Sequence, residues 1–296
     1  MRAACSRPVI PDASGLWPVP SGVVVDSHAR RALSFGSVAP AYALHRPGYP
    51  DQAVAWALES LPDGAPPQSG PPQSGPPHSG PPHSGTVLDL AAGTGKLTEA
   101  ALRCGVPATA VLAVEPDDGM RAELSRRLPG TAVVSGSAEQ IPAEDGTVGA
   151  VLVGQAFHWF DPERALGEIA RVLRPGGMLG VLGNVEDDSV GWVAELAEAS
   201  LAARVVGSVG REFADAPEHP AFSKPTQRRF CWRWPRTIDS LLETVSTHSW
   251  ALVSRPEERA AALVAIRRFL EQHPATRGGA FELPMQTLVQ RTTRCA

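Results

Sequence analysis

One short stretch, Thr86 to Thr98, constrains the fold of this chain most. It begins with an apolar run that contains a single carboxylate, Asp89, as is typical of a central parallel strand. Gly93 and Gly95 follow, and glycine adopts positive φ at low cost and lets a ligand approach the backbone. From Lys96 the apolar residues repeat at helical spacing. A strand, a glycine turn and a helix N-terminus together predict a small-molecule cradle at the carboxyl edge of a parallel sheet.

Three classes of cofactor use such a cradle. A P-loop requires Ser or Thr after the lysine, but Leu97 follows Lys96 here. A dinucleotide fingerprint requires a third Gly or Ala where this chain has Thr98. The third class is the nucleoside cradle of S-adenosylmethionine enzymes, which holds no phosphate. On this motif alone, a glycine turn without any ligand stays an open alternative.

Strands and helices alternate after this motif. The predicted strands are 86–90, 110–114, 132–135, 150–153 and 178–182, followed by two later strands at 227–234 and 281–291. This β-α-β alternation predicts an α/β fold with a doubly wound, mostly parallel seven-stranded sheet and helices on both faces. The two last strands are expected at the far edge of the sheet, one of them antiparallel. Near the C-terminus, Ser254 and Glu257 predict a capping box at the start of a helix.

Composition divides the chain into four segments. They are a poorly ordered N-terminal extension (1–33), an N-terminal helical segment (34–65), a Pro/Gly/Ser repeat loop (66–85) and the main domain (86–296). The repeat loop consists of the unit PPQSG twice and PPHSG twice, which carries too little apolar surface to form a packed core.

Charge and cysteine usage exclude several kinds of protein. The net charge of −4 favours neither nucleic acid nor an anionic membrane as partner, and no apolar run reaches the length of a membrane span. The four cysteines are scattered without metal-ligand spacing, so no metal site is expected. Free thiols fit a cytoplasmic protein. The oligomeric state is left open.

Polar residues follow the later strands at the predicted ligand edge. Glu115 ends the second strand, where a carboxylate can accept hydrogen bonds from both hydroxyls of a ribose, although a solvated strand end is an alternative. The segment 136–142 follows the third strand and can border an adenine ring or simply start a helix. Gln155 and His158 follow the fourth strand, and the histidine is either a base or a structural residue.

The chain resembles class I S-adenosylmethionine-dependent methyltransferases of the type 11 group. Five blocks carry the resemblance: Asp89 to Lys96, Val114 to Pro116, Gly136 to Pro142, Ala156 to Phe160, and Leu173 to Gly177. The resemblance implies S-adenosylmethionine as cofactor and a Rossmann-like fold. The cofactor-binding residues that it implies are Asp89, Ala91, Gly93, Thr94, Gly95, Glu115, Pro116, Ser137, Ala138, Glu139 and Gln155. Ala91 departs from the family pattern, which often has a glycine there.

Within that set, the resemblance assigns parts of the cofactor to different residues. Asp89 with the two glycines lines the methionine part, Glu115 holds the ribose, and residues 137–139 flank the adenine. Gln155 and His158 face the methyl donor, and His158 is the candidate catalytic residue.

The predicted activity is methyl transfer to a small-molecule acceptor by in-line displacement. Two alternatives stay open: a cofactor-binding protein without catalysis, and a nicotinamide-dependent oxidoreductase. If His158 belongs to the donor site, the acceptor pocket is expected among the residues Tyr42, Arg46, Trp232 and Trp250.

Overall fold

The computed structural model describes residues 36–59, 85–202 and 217–296. The predicted extension (1–33) and nearly all of the repeat loop (66–85) lie outside these residues. The described strands are β1 (Thr86–Leu90), β2 (Val111–Val114), β3 (Ala132–Val134), β4 (Val148–Gly154), β5 (Leu173–Glu186), β6 (Thr226–Thr237) and β7 (Ala280–Thr293). They form one seven-stranded sheet in the order β3-β2-β1-β4-β5-β7-β6.

The strand directions confirm the predicted fold class. Strands β1 to β5 pair in parallel with their neighbours, whereas β7 runs antiparallel to both β5 and β6. One of the two last strands is therefore antiparallel, at the far edge as predicted. The strand order reverses between β1 and β4, because β2 and β3 lie on one side of β1 and β4 and β5 on the other. The sheet therefore has a switch point beside β1, where ligands of open α/β sheets bind.

Helices cover both faces of the sheet. They are α1 (Ala39–His45), α2 (Asp51–Leu58), α3 (Lys96–Arg103), α4 (Asp118–Arg127), α5 (Pro162–Val172), α6 (Gly191–Ala202), α7 (Ile238–Ser246), α8 (Ser249–Val253) and α9 (Pro256–Gln272). Side chains alternate across β1, so Val87 packs in the cluster with α2 and α3, while Leu88 and Leu90 pack in the cluster with α5. A third cluster joins α6 to α9 with the start of β7.

Two predictions about short connecting segments, a capping box at Ser254 and a helix start at 136–142, differ from the structure. Ser254 does not cap α9: Arg255 is the N-cap residue, and the Ser254 hydroxyl donates to the Trp250 carbonyl at 2.6 Å. The capping-box prediction was wrong because α8 ends at this point and its last carbonyls compete for the hydroxyl. Residues 137–140 form a tight turn with a Ser137–Gln140 bridge, so the helix-start alternative for 136–142 is also wrong.

The parallel arrangement brings four strand ends to one edge. β1, β2, β4 and β5 run in the same direction and in register, so the residues that follow Leu90, Val114 and Val153 lie side by side. The segment between α1 and α2 crosses this edge. It is fixed there by the Asn184 side-chain N–H, which donates to the Gly48 carbonyl at 2.9 Å.

Candidate active site

A cavity of about 310 Å³ opens at this edge of the sheet. Its size lies at the lower end of small-molecule sites. The strand ends and their loops supply one part of its lining: Ala91, Gly93, Glu115, Pro116, Gly136, Ser137, Ala138, Glu139, Gly154, Gln155, Ala156, His158, Trp159 and Phe160. The covering segments and the late strands supply the rest: Tyr42, Arg46, Pro47, Met120, Asn184, Val185, Glu186, Trp234, Thr244, His248, Ser249 and Met285.

The turn after β1 forms the floor of the cavity. Gly93 has φ +55, and a Cβ atom at this residue would project into open space. Ala91, two residues earlier, also has positive φ, +56, which an L-residue with a side chain rarely adopts. Gly95 lies behind the turn, where a Cβ would come within 2.9 Å of Leu124 and Leu128. The glycine turn thus exposes its backbone to the cavity on one side and packs against α4 on the other.

Glu115 lies beside this turn and organises it. Its carboxylate accepts the backbone N–H of Gly93 at 2.8 Å through Oε2 and that of Asp117 at 2.9 Å through Oε1. The side chain is buried, and this burial raises the pKa of Glu115, while the two backbone hydrogen bonds oppose the rise. Two backbone donors therefore hold this carboxyl group at the wall of the cavity.

Asp89 lies beneath the cavity rather than in its wall. Its Oδ2 accepts the Thr98 hydroxyl at 2.5 Å, and its Oδ1 is buried with no hydrogen-bond donor among the described residues. Burial raises the pKa of Asp89 to about 7, and the nearby Glu115 carboxylate adds to the rise. This group therefore changes its charge near neutral pH.

The loop after β3 forms a narrow wall. Ala138 is buried within the turn that spans residues 137–140, and the Glu139 carboxylate accepts the Asp161 N–H at 3.0 Å. That hydrogen bond joins the loop to the start of α5. The result is a flat border of small side chains, Ser137 and Ala138, at one end of the cavity.

Gln155 and His158 come from the end of β4. Gln155 has φ +56, and its backbone and side-chain N–H groups donate to the carbonyls of Leu182 and Asn184 at 2.9 and 2.7 Å. These bonds hold a strained residue against β5. His158 lies in a single 3-10 turn, with its ring centroid 4.6 Å from that of Trp159. Both residues face the cavity.

The structure gathers most of the predicted site residues at one cavity. Nine of the twelve line it, and the three that do not are Asp89, Thr94 and Gly95. Those three lie behind the lining: Thr94 is buried, and its carbonyl accepts from Arg127 at 2.7 Å.

Of the four residues named as candidates for the acceptor pocket, two line this cavity and two do not. Tyr42 and Arg46 line the cavity, but Trp232 and Trp250 do not. The Trp232 indole N–H donates to Thr287 at 3.0 Å, and Trp250 is buried in the cluster of α6 to α9. These two tryptophans therefore lie outside this cavity, because the C-terminal core uses them for packing.

Sequence reasoning missed the part of the lining that comes from the C-terminal half. Asn184 and Glu186 were detectable in principle, because they come directly after the strand predicted at 178–182 and end β5 at the same edge as Glu115. Thr244, His248 and Ser249 had no such signal. They reach the cavity only because α7 and α8 fold back onto the sheet edge.

The fold is α/β, and the cavity lies at the switch point of its sheet, where enzymes of this architecture bind their ligands. A protein family described as "Methyltransferase domain" matches residues 88–181. An uncharacterized methyltransferase of Mycobacterium tuberculosis is 37% identical over 264 residues, which cover 88% of this chain and 96% of that protein. A second uncharacterized methyltransferase, from Schizosaccharomyces pombe, is 34% identical over 53% of this chain and 55% of its own length.

A solved structure has the same fold. A protein assigned as a type II methyltransferase from Anaeromyxobacter dehalogenans superposes with a TM-score of 0.60 at 20% identity, covering 84% of this chain and 97% of that one. The chain belongs to the class I S-adenosylmethionine-dependent methyltransferase family and is a methyltransferase. The oxidoreductase alternative and the alternative of a non-catalytic binding protein are thereby set aside.

Two further observations concern the described residues only. None of their helices combines the length and apolar character that crossing a bilayer requires. Nor do they contain a group of three or more His, Cys, Asp or Glu side chains arranged to hold a metal ion.

Proposed function

We propose that this protein binds S-adenosylmethionine in the cavity and transfers its methyl group to a small-molecule acceptor by in-line displacement. The observation that carries the proposal is the pairing of Glu115 with the Gly93 backbone at the wall of the cavity. A buried carboxylate beside a backbone that carries no Cβ fits a ribose and the chain attached to it.

The residues present fit this cofactor in two further respects. Asp89 lies beneath the cavity floor with a buried oxygen that has no donor among the described residues, and its charge would attract the ammonium group of the methionine part. The small side chains Ser137 and Ala138 leave room for a flat ring, and Glu139 lies beside them. Pro116 and Met120 add apolar surface to the cavity wall.

When bound, S-adenosylmethionine supplies an activated methyl group: a lone pair of the acceptor forms the new bond to the methyl carbon, and the electrons of the broken carbon–sulfur bond stay on sulfur. The protein therefore needs mainly to position the two reactants and to exclude water. Gln155 is suited to positioning because β5 fixes both its backbone and its amide. Such positioning can supply on the order of 7–11 kcal/mol.

His158 is proposed as the catalytic residue. It lies in the cavity wall beside Trp159 and Phe160, whose rings place apolar surface next to it. In its neutral form it can take the proton of an acceptor hydroxyl, or orient an acceptor that has no proton to lose.

Calorimetry with S-adenosylmethionine, S-adenosylhomocysteine and NAD tests the cofactor. Binding of the first two without NAD is expected, and binding of NAD alone would refute the proposal. Transfer of label from S-adenosylmethionine to a metabolite mixture then tests the reaction. Labelled small molecules are expected, whereas label recovered only on protein or nucleic acid would contradict the assigned acceptor class.

A further inference from the structure

One corner of the cavity carries a positive charge that has no counterion among the described residues. Arg46 is the only Lys or Arg among the described lining residues. Its Nη2 donates to the Thr247 carbonyl at 3.2 Å, and its guanidinium carbon lies 5.1 Å from the centroid of the Tyr42 ring. Its Nε is buried and has no hydrogen-bond acceptor within the described part of the chain. A buried guanidinium N–H without an acceptor is costly, so this donor calls for an anionic partner.

A second arginine strengthens the positive potential of the same corner. Arg236 donates to the Thr244 hydroxyl at 2.5 Å, and that hydroxyl donates to the His45 carbonyl at 2.8 Å, next to Arg46. Within residues 36–59, 85–202 and 217–296, neither arginine forms an ion pair with a carboxylate. Two guanidinium groups without a described counterion are thus held around one end of the cavity.

His248 supplies another polar atom at this place. It lines the cavity, is 7% exposed, and its Nδ1 is buried without a hydrogen-bond partner among the described residues. Burial and the charge of Arg46 lower the pKa of His248 well below its usual value, so the imidazole is neutral. A neutral imidazole next to a guanidinium can share an anion with it through one N–H donor.

The remaining walls of the corner are apolar. Trp234 lies under the guanidinium of Arg236, with 4.0 Å between the ring centroid and Cζ, and its ring also lines the cavity. Met285 on the neighbouring strand β7 lines the cavity as well. The carboxylates of the cavity (Glu115, Glu139 and Glu186) come from the strand ends and their loops, whereas Arg46 comes from the segment that covers them.

From this arrangement we infer that the acceptor is a carboxylic acid with an alkyl or aryl body, its carboxylate held by Arg46 and His248 and its body packed on Trp234 and Met285. The inference rests on the proposed function, because it places the acceptor beside the cofactor. It names two residues, Arg46 and His248, that bind the carboxylate of the substrate together. No sequence motif contains both of them.

The experiment measures binding to the full-length protein saturated with S-adenosylhomocysteine. The probes are phenylacetate, phenylpropanoate and octanoate, each compared with its own primary amide. The amides keep the body and remove the charge. We expect at least one acid to bind about ten- to a hundredfold more tightly than its amide, as a charged hydrogen bond provides.

The variant Arg46→Gln is expected to remove this preference and to leave the affinity for S-adenosylhomocysteine unchanged. Arg46→Lys, which keeps the charge without the guanidinium Nε, is expected to be intermediate. Arg229→Gln is the matched control, because Arg229 is exposed on β6 and does not line the cavity.

Each other outcome is decisive. If the wild-type protein binds S-adenosylhomocysteine but shows no preference for any acid, or keeps its preference in Arg46→Gln, the inference is wrong while the proposed function stands. If the wild-type protein does not bind S-adenosylhomocysteine, the proposed function itself fails. If Arg46→Gln does not fold, the wild-type comparison of acids with amides and the Arg46→Lys variant still decide.

Discussion

Glu115 Oε2 accepts the backbone N–H of Gly93 at 2.8 Å, across 22 positions of sequence. Because Oε1 accepts the N–H of Asp117, the carboxylate ties the turn after β1 to the loop after β2. Each carboxylate oxygen can accept more than one hydrogen bond, so both remain able to accept ribose hydroxyls. One side chain thereby shapes the turn and, in the proposed function, also offers the acceptor atoms for the ribose.

Replacing Glu115 by Ala should weaken the binding of S-adenosylhomocysteine by about ten- to a hundredfold, as expected for the loss of a charged hydrogen-bonding group. The fold should survive, because β1 and β2 keep their ladder hydrogen bonds. Calorimetry gives the affinity and circular dichroism gives the fold. Glu144→Ala, at an exposed position outside the cavity, is the control. An affinity equal to that of the control would make Glu115 a purely structural residue.

Ala91→Gly should stabilise the protein by up to about 1 kcal/mol. Ala91 has φ +56, and the strain of a side chain in the left-handed region exceeds the extra flexibility that glycine brings to the unfolded chain. Urea denaturation measures the difference. The neighbouring Ala92→Gly is the matched control, since Ala92 is buried and has no positive φ, and it should destabilise. Equal destabilisation by both substitutions would show that Ala91 is not strained.

Asp89 should make cofactor binding depend on pH. Its pKa of about 7 means that the free protein holds it largely protonated below neutral pH. A bound ammonium group favours the carboxylate, so binding releases a proton and the affinity rises with pH, by at most about tenfold per pH unit. Calorimetry with S-adenosylhomocysteine across this range measures the slope, and Asp89→Asn should flatten it. A wild-type slope that persists in Asp89→Asn would assign the proton to another group.

The same residue affects the stability of the free protein. Because its folded pKa lies above its ordinary value of 3.8, the folded state binds more protons than the unfolded state between the two values. The free energy of unfolding therefore falls as pH rises from about 4 to about 7, and the contribution is constant outside that window. The difference between wild type and Asp89→Asn in urea denaturation isolates this contribution from that of Glu115, whose pKa is also raised.

The first half of the fold could be predicted from the sequence because its signals are local. Strand β1 covers Thr86–Leu90 as predicted, since a short apolar run before a glycine turn has few other interpretations. Strand β5 was predicted too short, at 178–182 instead of Leu173–Glu186. Its extension beyond Leu182 depends on antiparallel pairing with β7, which continues to Glu186 opposite Met285 and which no local pattern encodes. Its first residue, Leu173, pairs with Val148 of β4.

The candidate site also has one part that could be predicted from the sequence and one part that could not. Its strand-end half was predictable, because parallel strands place the residues that follow them at one edge. Its second half joins Arg46 to Trp234 and His248, which come from two distant parts of the chain. Only tertiary packing brings them together: Arg46 reaches the carbonyl of Thr247, 201 positions away, and no spacing in the sequence signals that contact.

His158→Ala should lower the rate of methyl transfer far more than it weakens the binding of S-adenosylhomocysteine. If the imidazole takes a proton from the acceptor, its loss costs about 10²- to 10⁴-fold in kcat. The acceptor found by the labelling screen serves as substrate, and calorimetry follows the cofactor. Little change in affinity is expected, because the cofactor cradle is built by the Gly93 backbone and Glu115 rather than by this residue.

The variant His158→Gln separates the two roles that the imidazole can have. A glutamine amide can orient an acceptor through hydrogen bonds but cannot take up a proton near neutral pH. If His158 acts as a base, both variants should lose activity alike. Recovery of most of the activity in His158→Gln would instead show that the residue only orients the acceptor. Full activity in His158→Ala would remove it from the mechanism, leaving Gln155 and the walls of the cavity to position the two reactants.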